Sequence, residues 1–272
     1  MKKKSKKKSL VIMYIVLGVG IAGILTFGIW LGVDHYLDWQ SRNFYTVIAE
    51  GIEVRPRSPG NIAAAQSPTE NGDGSSVAQN LDKDDWVAFA DFEELSGRFP
   101  GIVGWIRLEG TAINYPIMQW TDNDFFLSHL PDGTSHRSGS IFLDFRNTPD
   151  FSDRNSILYG HMSRTDDMFG VLKYFREQAF YDANSIMYIH TPERDYQLAI
   201  FAVHLVNSSI EQPTTYFRDD EHFAEYLRKT KSRSMISSDV EVSIEDRIVT
   251  LATCAYDFDN ARLVVIGKLI AF

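Results

Sequence analysis

Cys254 is the single cysteine of a 272-residue chain. It ends an apolar run, Arg247 to Thr253; the polar loop Ala-Tyr-Asp-Phe-Asp-Asn-Ala follows, and Arg262 opens the last apolar run. If the two runs pair as an antiparallel hairpin, Cys254 and Arg262 emerge side by side, with directly opposed Cβ atoms roughly 4.5 to 5.5 Å apart. A guanidinium beside a thiol can favour the thiolate, or donate hydrogen bonds to the oxyanion formed when that thiolate attacks a carbonyl. Two plainer readings compete. A lone cysteine at a strand end also serves as a small core hydrophobe, and Arg262 could pair with Asp257 or Asp259 as a surface ion pair of little energetic weight.

A cysteine nucleophile needs a proton carrier, usually histidine. Of the seven histidines, His35 falls next to a long apolar stretch and His204 sits inside a strand-like run. His161 is the best placed, because it follows an apolar run, Asn155 to Gly160, and a glycine that permits a sharp turn. Loops at strand ends commonly present catalytic groups. His129, His136 and His190 remain candidates on pattern alone. The chain carries no His-Glu-x-x-His, no paired-cysteine spacing, no EF-hand loop and no glycine-rich phosphate loop, so neither a metal nor another cofactor is expected.

The elements that must hold these groups read as mostly β. Eight runs are bounded by Gly, Pro, Asn and Asp: 102–108, 113–119, 139–145, 155–160, 186–191, 196–207, 247–253 and 263–270. Eight short strands in about 190 residues suggest a closed barrel or a sandwich. Helices are expected over 82–97, with Trp86, Phe89, Phe92 and Leu95 on one face, over 167–180, and over 219–233, which opens with acids and closes with bases.

Ahead of this module, residues 10–33 hold no charge and are flanked by six lysines within residues 1–9. That stretch is long enough to cross a bilayer and longer than a signal-peptide core. The lysines place the N-terminus inside, as a cytoplasmic segment, and the rest of the chain outside. Residues 34–53 read as a helix leaving the membrane, 55–80 as a Pro/Gly/Ser-rich tether, and 81–272 as the working domain. Beyond the lysine cluster 21 basic residues face 36 acidic ones. So acidic a domain is a poor partner for nucleic acid, whose affinity comes from neutralised phosphates.

Thr-Leu-x-Thr-Cys at 250–254, Arg262 eight residues on, Tyr-Gly-His at 159–161 and the lysine-flanked anchor together resemble the sortases, cysteine transpeptidases of Gram-positive bacteria. Class B is most similar, on the text of residues 104–119, 122–127, 138–147 and 157–170. The resemblance covers about 81–272. It implies an eight-stranded barrel with an N-terminal helix and a long helix between the sixth and seventh barrel strands. It also implies that Cys254 is the nucleophile, His161 the general acid and base, and Arg262 the oxyanion-stabilising group. Sorting-signal contacts are implied at Asn123, Leu127, Thr215, Tyr216, Phe217 and Thr253. Ala252 stands where many class B members have serine. The reaction implied is cleavage of an Asn-Pro-x-Thr-like or Leu-Pro-x-Thr-like motif after Thr and transfer of the acyl group to an amine, of peptidoglycan or its lipid-linked precursor. A pilin lysine as acceptor, hydrolysis by water, and a tethered non-catalytic scaffold stay open.

Overall fold

The computed structural model describes residues 2–50, 53–56, 86–89, 92–163, 165–211 and 213–271. The chain divides into two units, Met1–Phe44 and Tyr45–Phe272. Most of the first is one helix, α1 (Lys2–Glu50). Within it, Val16–Glu50 is long and apolar enough to cross a membrane. Its side chains from Leu17 to Val33, Phe27 and Trp30 included, are exposed rather than packed in a core. A water-facing helix would not carry such a surface.

In the second unit β1 (Glu53–Pro56) pairs antiparallel with β2 (Trp86–Phe89). The helix expected over 82–97 is therefore shorter: it starts at Phe92 as α2 (Phe92–Arg98). The three-residue spacing of Trp86, Phe89 and Phe92 suits a helix, but Trp-Val-Ala-Phe is also good strand sequence, and its backbone has found a partner 30-odd residues upstream. The tether expected over 55–80 falls outside the described residues from 57 onward, and so does the start of the working domain expected at 81. The compact unit nonetheless includes the end of α1. Tyr45 and Ile48 are buried, and the Tyr45 hydroxyl donates to the Gly139 carbonyl at 2.7 Å.

Eight strands close a barrel: β3 (Ile102–Arg107), β4 (Asn114–Met118), β5 (Ile141–Leu143), β6 (Asn155–Tyr159), β7 (Ile186–His190), β8 (Asp195–Asn207), β9 (Arg247–Cys254) and β10 (Ala261–Ala271). The order round the barrel is β10-β8-β7-β3-β4-β5-β6-β9. Two neighbouring pairs, β4 with β5 and β6 with β9, are parallel. β6 and β9 are buried almost throughout, which accounts for their unbroken apolar sequence where an exposed strand would alternate. The residues expected to form a helix over 167–180 instead make a 3-10 helix, Gly170–Arg176, and α3 (Gln178–Ala183), separated by an extended Glu177.

The helix expected over 219–233 is α4 (Asp220–Ser232), between the sixth and seventh barrel strands. Asp219 caps it, its carboxylate accepting from the His222 amide at 2.8 Å. Phe223 and Leu227 bury against Phe201, Ala252 and Val264 on the outside of the barrel.

Candidate active site

β9 and β10 form the hairpin expected of them. The register sets Cys254 opposite Arg262. The Ala255 amide closes the loop on the Ala261 carbonyl at 3.0 Å, and Asn260 takes the left-handed conformation that the turn requires. Both side chains are half-buried. Arg262 does not pair with the loop acids: Asp257 is bound by Arg176 at 2.6 Å, and among the described residues Arg262 forms no ion pair. Its Nη1 donates to the Ala261 carbonyl at 3.2 Å, which leaves most of the guanidinium's donors for a ligand.

His161 arrives from the other side of β9. In the parallel β6/β9 pair Tyr159 stands level with Ala252, and the Gly160 amide reaches the Ala252 carbonyl at 3.3 Å. Two residues further along each parallel strand lie His161 and Cys254. Three adjacent strand ends thus deliver His161, Cys254 and Arg262 to one rim of the barrel. Gly160 makes the approach possible, since a Cβ there would fall 2.4 Å from Ile141 Cδ1 and 2.7 Å from Phe169. The Phe169 amide donates to the His161 carbonyl at 3.2 Å, which holds the backbone of the turn. The His161 ring is tied separately: Nε2 lies 2.6 Å from the Leu127 carbonyl. A carbonyl only accepts, so Nε2 carries hydrogen and Nδ1 is the nitrogen left to exchange a proton.

The other histidines are engaged elsewhere. His129 stacks on Phe125 and contacts its carbonyl at 2.7 Å. Buried His136 accepts from the Ser138 amide at 3.1 Å. His190 binds Asp195 at 2.8 Å in the β7–β8 hairpin, with the length of β8, roughly 40 Å of strand, between it and the Asn207–Ala261 pair beside Arg262.

Leu127, whose carbonyl holds His161, is itself exposed at the rim. Asn123 is half-buried, with its amide spent internally: Nδ2 donates to Asp144 at 3.1 Å and Oδ1 accepts from the Phe145 amide at 3.0 Å. Thr215, Tyr216 and Phe217 lead into α4. Tyr216 is exposed, while Phe217 packs on Phe223 and Tyr226. Thr253 is buried, its hydroxyl without a partner, and strand alternation turns it to the opposite face from Cys254. Beside these three residues lies a cleft of about 420 Å³ lined by Met162, Ser163, Arg176, Ala255, Tyr256 and Leu263 among others.

Sequence reasoning missed Asp144, the hub behind this rim. Its carboxylate is fully buried and accepts from Arg146 Nε and Nη2 at 2.8 and 2.7 Å, from Asn123, and from the Tyr159 hydroxyl at 3.1 Å. Burial raises its pKa, but the hydrogen bonds and charge of Arg146 outweigh that and hold it below the usual carboxylate range. Burial, then the Asp144 charge, pushes the Tyr159 hydroxyl up, so it stays a donor. The only signal in the sequence was an acid two residues before an arginine inside an otherwise apolar run.

A thiol, an imidazole and a guanidinium at one rim of a closed barrel are the groups a cysteine-dependent acyl transferase needs. The sortase domain model matches residues 106–270. Sortase B of Staphylococcus aureus is 39% identical over 181 residues, 66% of this chain and 74% of its own. A Staphylococcus aureus sortase B–substrate complex superposes with a TM-score of 0.63 at 37% identity, covering 66% of this chain and 84% of that one. A sortase B complexed with triglycine gives a TM-score of 0.62 at 38% identity over 66% and 85%. The chain belongs to the sortase family of cysteine transpeptidases, in class B.

Proposed function

We propose that this transpeptidase is held at the outer face of the membrane by residues 10–33 as a single span, with 1–9 inside, and that it joins surface proteins to a cell-wall amine. The six lysines before the apolar stretch support that orientation, and residues 34–80 would hold the catalytic domain, 81–272, off the bilayer. His161, Cys254 and Arg262 are the catalytic residues. The observation that carries this reading is the register that sets Arg262 opposite Cys254 while the β6/β9 pair brings His161 level with it.

In the first half-reaction the Cys254 thiolate attacks the carbonyl of the threonine in an Asn-Pro-x-Thr-like or Leu-Pro-x-Thr-like motif. The tetrahedral oxyanion is stabilised by Arg262, and the C–N bond breaks as protonated His161 gives its proton to the departing amine. In the second, an acceptor amine attacks the thioester, neutral His161 takes its proton, and Cys254 leaves as thiolate, which restores the starting state. Leu127, Asn123 and the 215–217 segment flank the approach of the sorting signal; Thr253 acts from beneath the strand. The cleft beyond Ser163 and Tyr256 offers the acceptor a path separate from the peptide. The triglycine bound by the relative is consistent with an amine acceptor.

The test is a mass balance on one sorting-motif peptide with and without added amines, a glycine oligomer and a diamino-acid peptide among them. Transfer requires a new amide product that grows with amine concentration at the expense of the free acid. Free acid as the sole product with every amine would establish a hydrolase.

A further inference from the structure

We propose that Asp144 is a positioning residue for the proton carrier: its carboxylate fixes both the strand that delivers His161 and the segment that holds the His161 ring. This rests on His161 having the role given above. The ring and the main chain of His161 have separate anchors. The chain anchor is the end of β6, where Tyr159, two residues before His161, donates to Asp144 Oδ2 at 3.1 Å. The ring anchor is the Leu127 carbonyl, 2.6 Å from Nε2. Leu127 ends a 3-10 helix, Phe125–Leu127. That helix is started by Asp122, whose Oδ1 accepts from the amides of Asp124 and Phe125, both at 2.8 Å. Between Asp122 and the helix-bearing turn sits Asn123, which donates to the same Asp144 Oδ2 at 3.1 Å. Asn123 also accepts from the Phe145 amide, next to Asp144.

One oxygen therefore receives both arms. The other, Oδ1, accepts from the amide of Arg146 at 3.0 Å and from its Nε, so the carboxylate cannot rotate to release either arm. Gln119 adds a donor to the Asp144 carbonyl at 3.0 Å. The helix is backed where the chain passes Gly139, at φ 56°: a Cβ there would lie 2.5 Å from the Phe126 carbonyl oxygen and 2.7 Å from that of Leu127. A close glycine behind the helix and a buried carboxylate at its start leave the Leu127 carbonyl little freedom.

The consequence is chemical. Holding Nε2–H on a fixed carbonyl selects one neutral tautomer and keeps the lone pair on Nδ1 for Cys254 and the acceptor amine. Loosening the carbonyl lets the ring turn and mixes the tautomers, which lowers the rate of the chemical steps. A displacement of about 1 Å in such a group costs up to ~100-fold in rate.

The experiment compares the wild type with Asp144→Asn, Tyr159→Phe and, as a control, His161→Gln. The readouts are sorting-peptide cleavage across pH, the thermal midpoint, and 15N shifts of the His161 imidazole. Asp144→Asn is expected to lower kcat ~10-fold or more, to displace the His-dependent limb of the pH–rate profile, and to mix the His161 tautomers. Tyr159→Phe, which buries no altered charge, should show the same signs at a few-fold loss. If Asp144→Asn does not fold, Tyr159→Phe decides. A folded variant with a lowered midpoint but the wild-type pH profile and a single His161 tautomer would reduce Asp144 to a structural role and overturn the proposal. An active His161→Gln would instead overturn the proton-carrier assignment itself.

Discussion

The geometry of Arg262 matters more than its charge. It faces Cys254 across a hairpin with, among the described residues, no ion pair to turn it aside, and a planar fork can place two donors on one oxyanion where an ammonium places a point charge. Arg262→Lys should therefore keep the fold, read as an unchanged thermal midpoint, and lose ~100-fold or more in kcat for peptide cleavage. Cys254 and Arg262 were legible because their pairing is local: one loop, two apolar runs, one register. His161 was only the best of four candidates from its residues alone. Its partner strand, β9, lies some ninety positions downstream, and a parallel contact over that distance leaves no local trace. Asp144 left only a faint trace for a related reason, since its donors come from three separate segments.

Among the elements, α4 could be read nearly to the residue, because its cap, its charge asymmetry and its apolar face agree. The stretch 86–89 could not, since spacing favoured a helix and composition a strand, and pairing with β1 decided it. α4 also covers a buried titratable group. His204 on β8 shares a small pocket with Tyr226, Lys229, Thr230 and Arg233 of α4 and its end, and with Glu211, which pairs with Lys229 and Arg233. Burial first, then the Arg233 charge, pulls the His204 pKa down to about 4. The unfolded chain takes up that proton near its ordinary value of about 6.5, the folded one only near 4, so stability falls as the pH drops between the two. His204→Gln should remove this dependence. Chemical denaturation at pH 7 and pH 4 should show the wild type losing on the order of 3 kcal/mol more than the variant over that window.

For the whole molecule, barrel closure places His161, Cys254 and Arg262 on neighbouring strand ends, and the edges of the module left the faintest trace in the sequence. A charge-free stretch and a lysine cluster are strong local signals, whereas Tyr45 and Ile48 belong to a helix continuous with the apolar span and gave no sign of joining the core. A fragment of residues 81–272, which lacks both and β1, should be less stable than one of 34–272 by on the order of 3 kcal/mol, read by denaturant midpoint. Everything proposed for the enzyme depends on a thioester forming at one sulfur. The direct measurement is mass spectrometry of the 34–272 protein mixed with sorting-motif peptides and no acceptor amine. An adduct equal to the acyl half of the peptide should map to Cys254, persist until an amine is added, and vanish in Cys254→Ala. Peptide cleavage by Cys254→Ala at the wild-type rate, or turnover without any adduct on Cys254, would contradict the account.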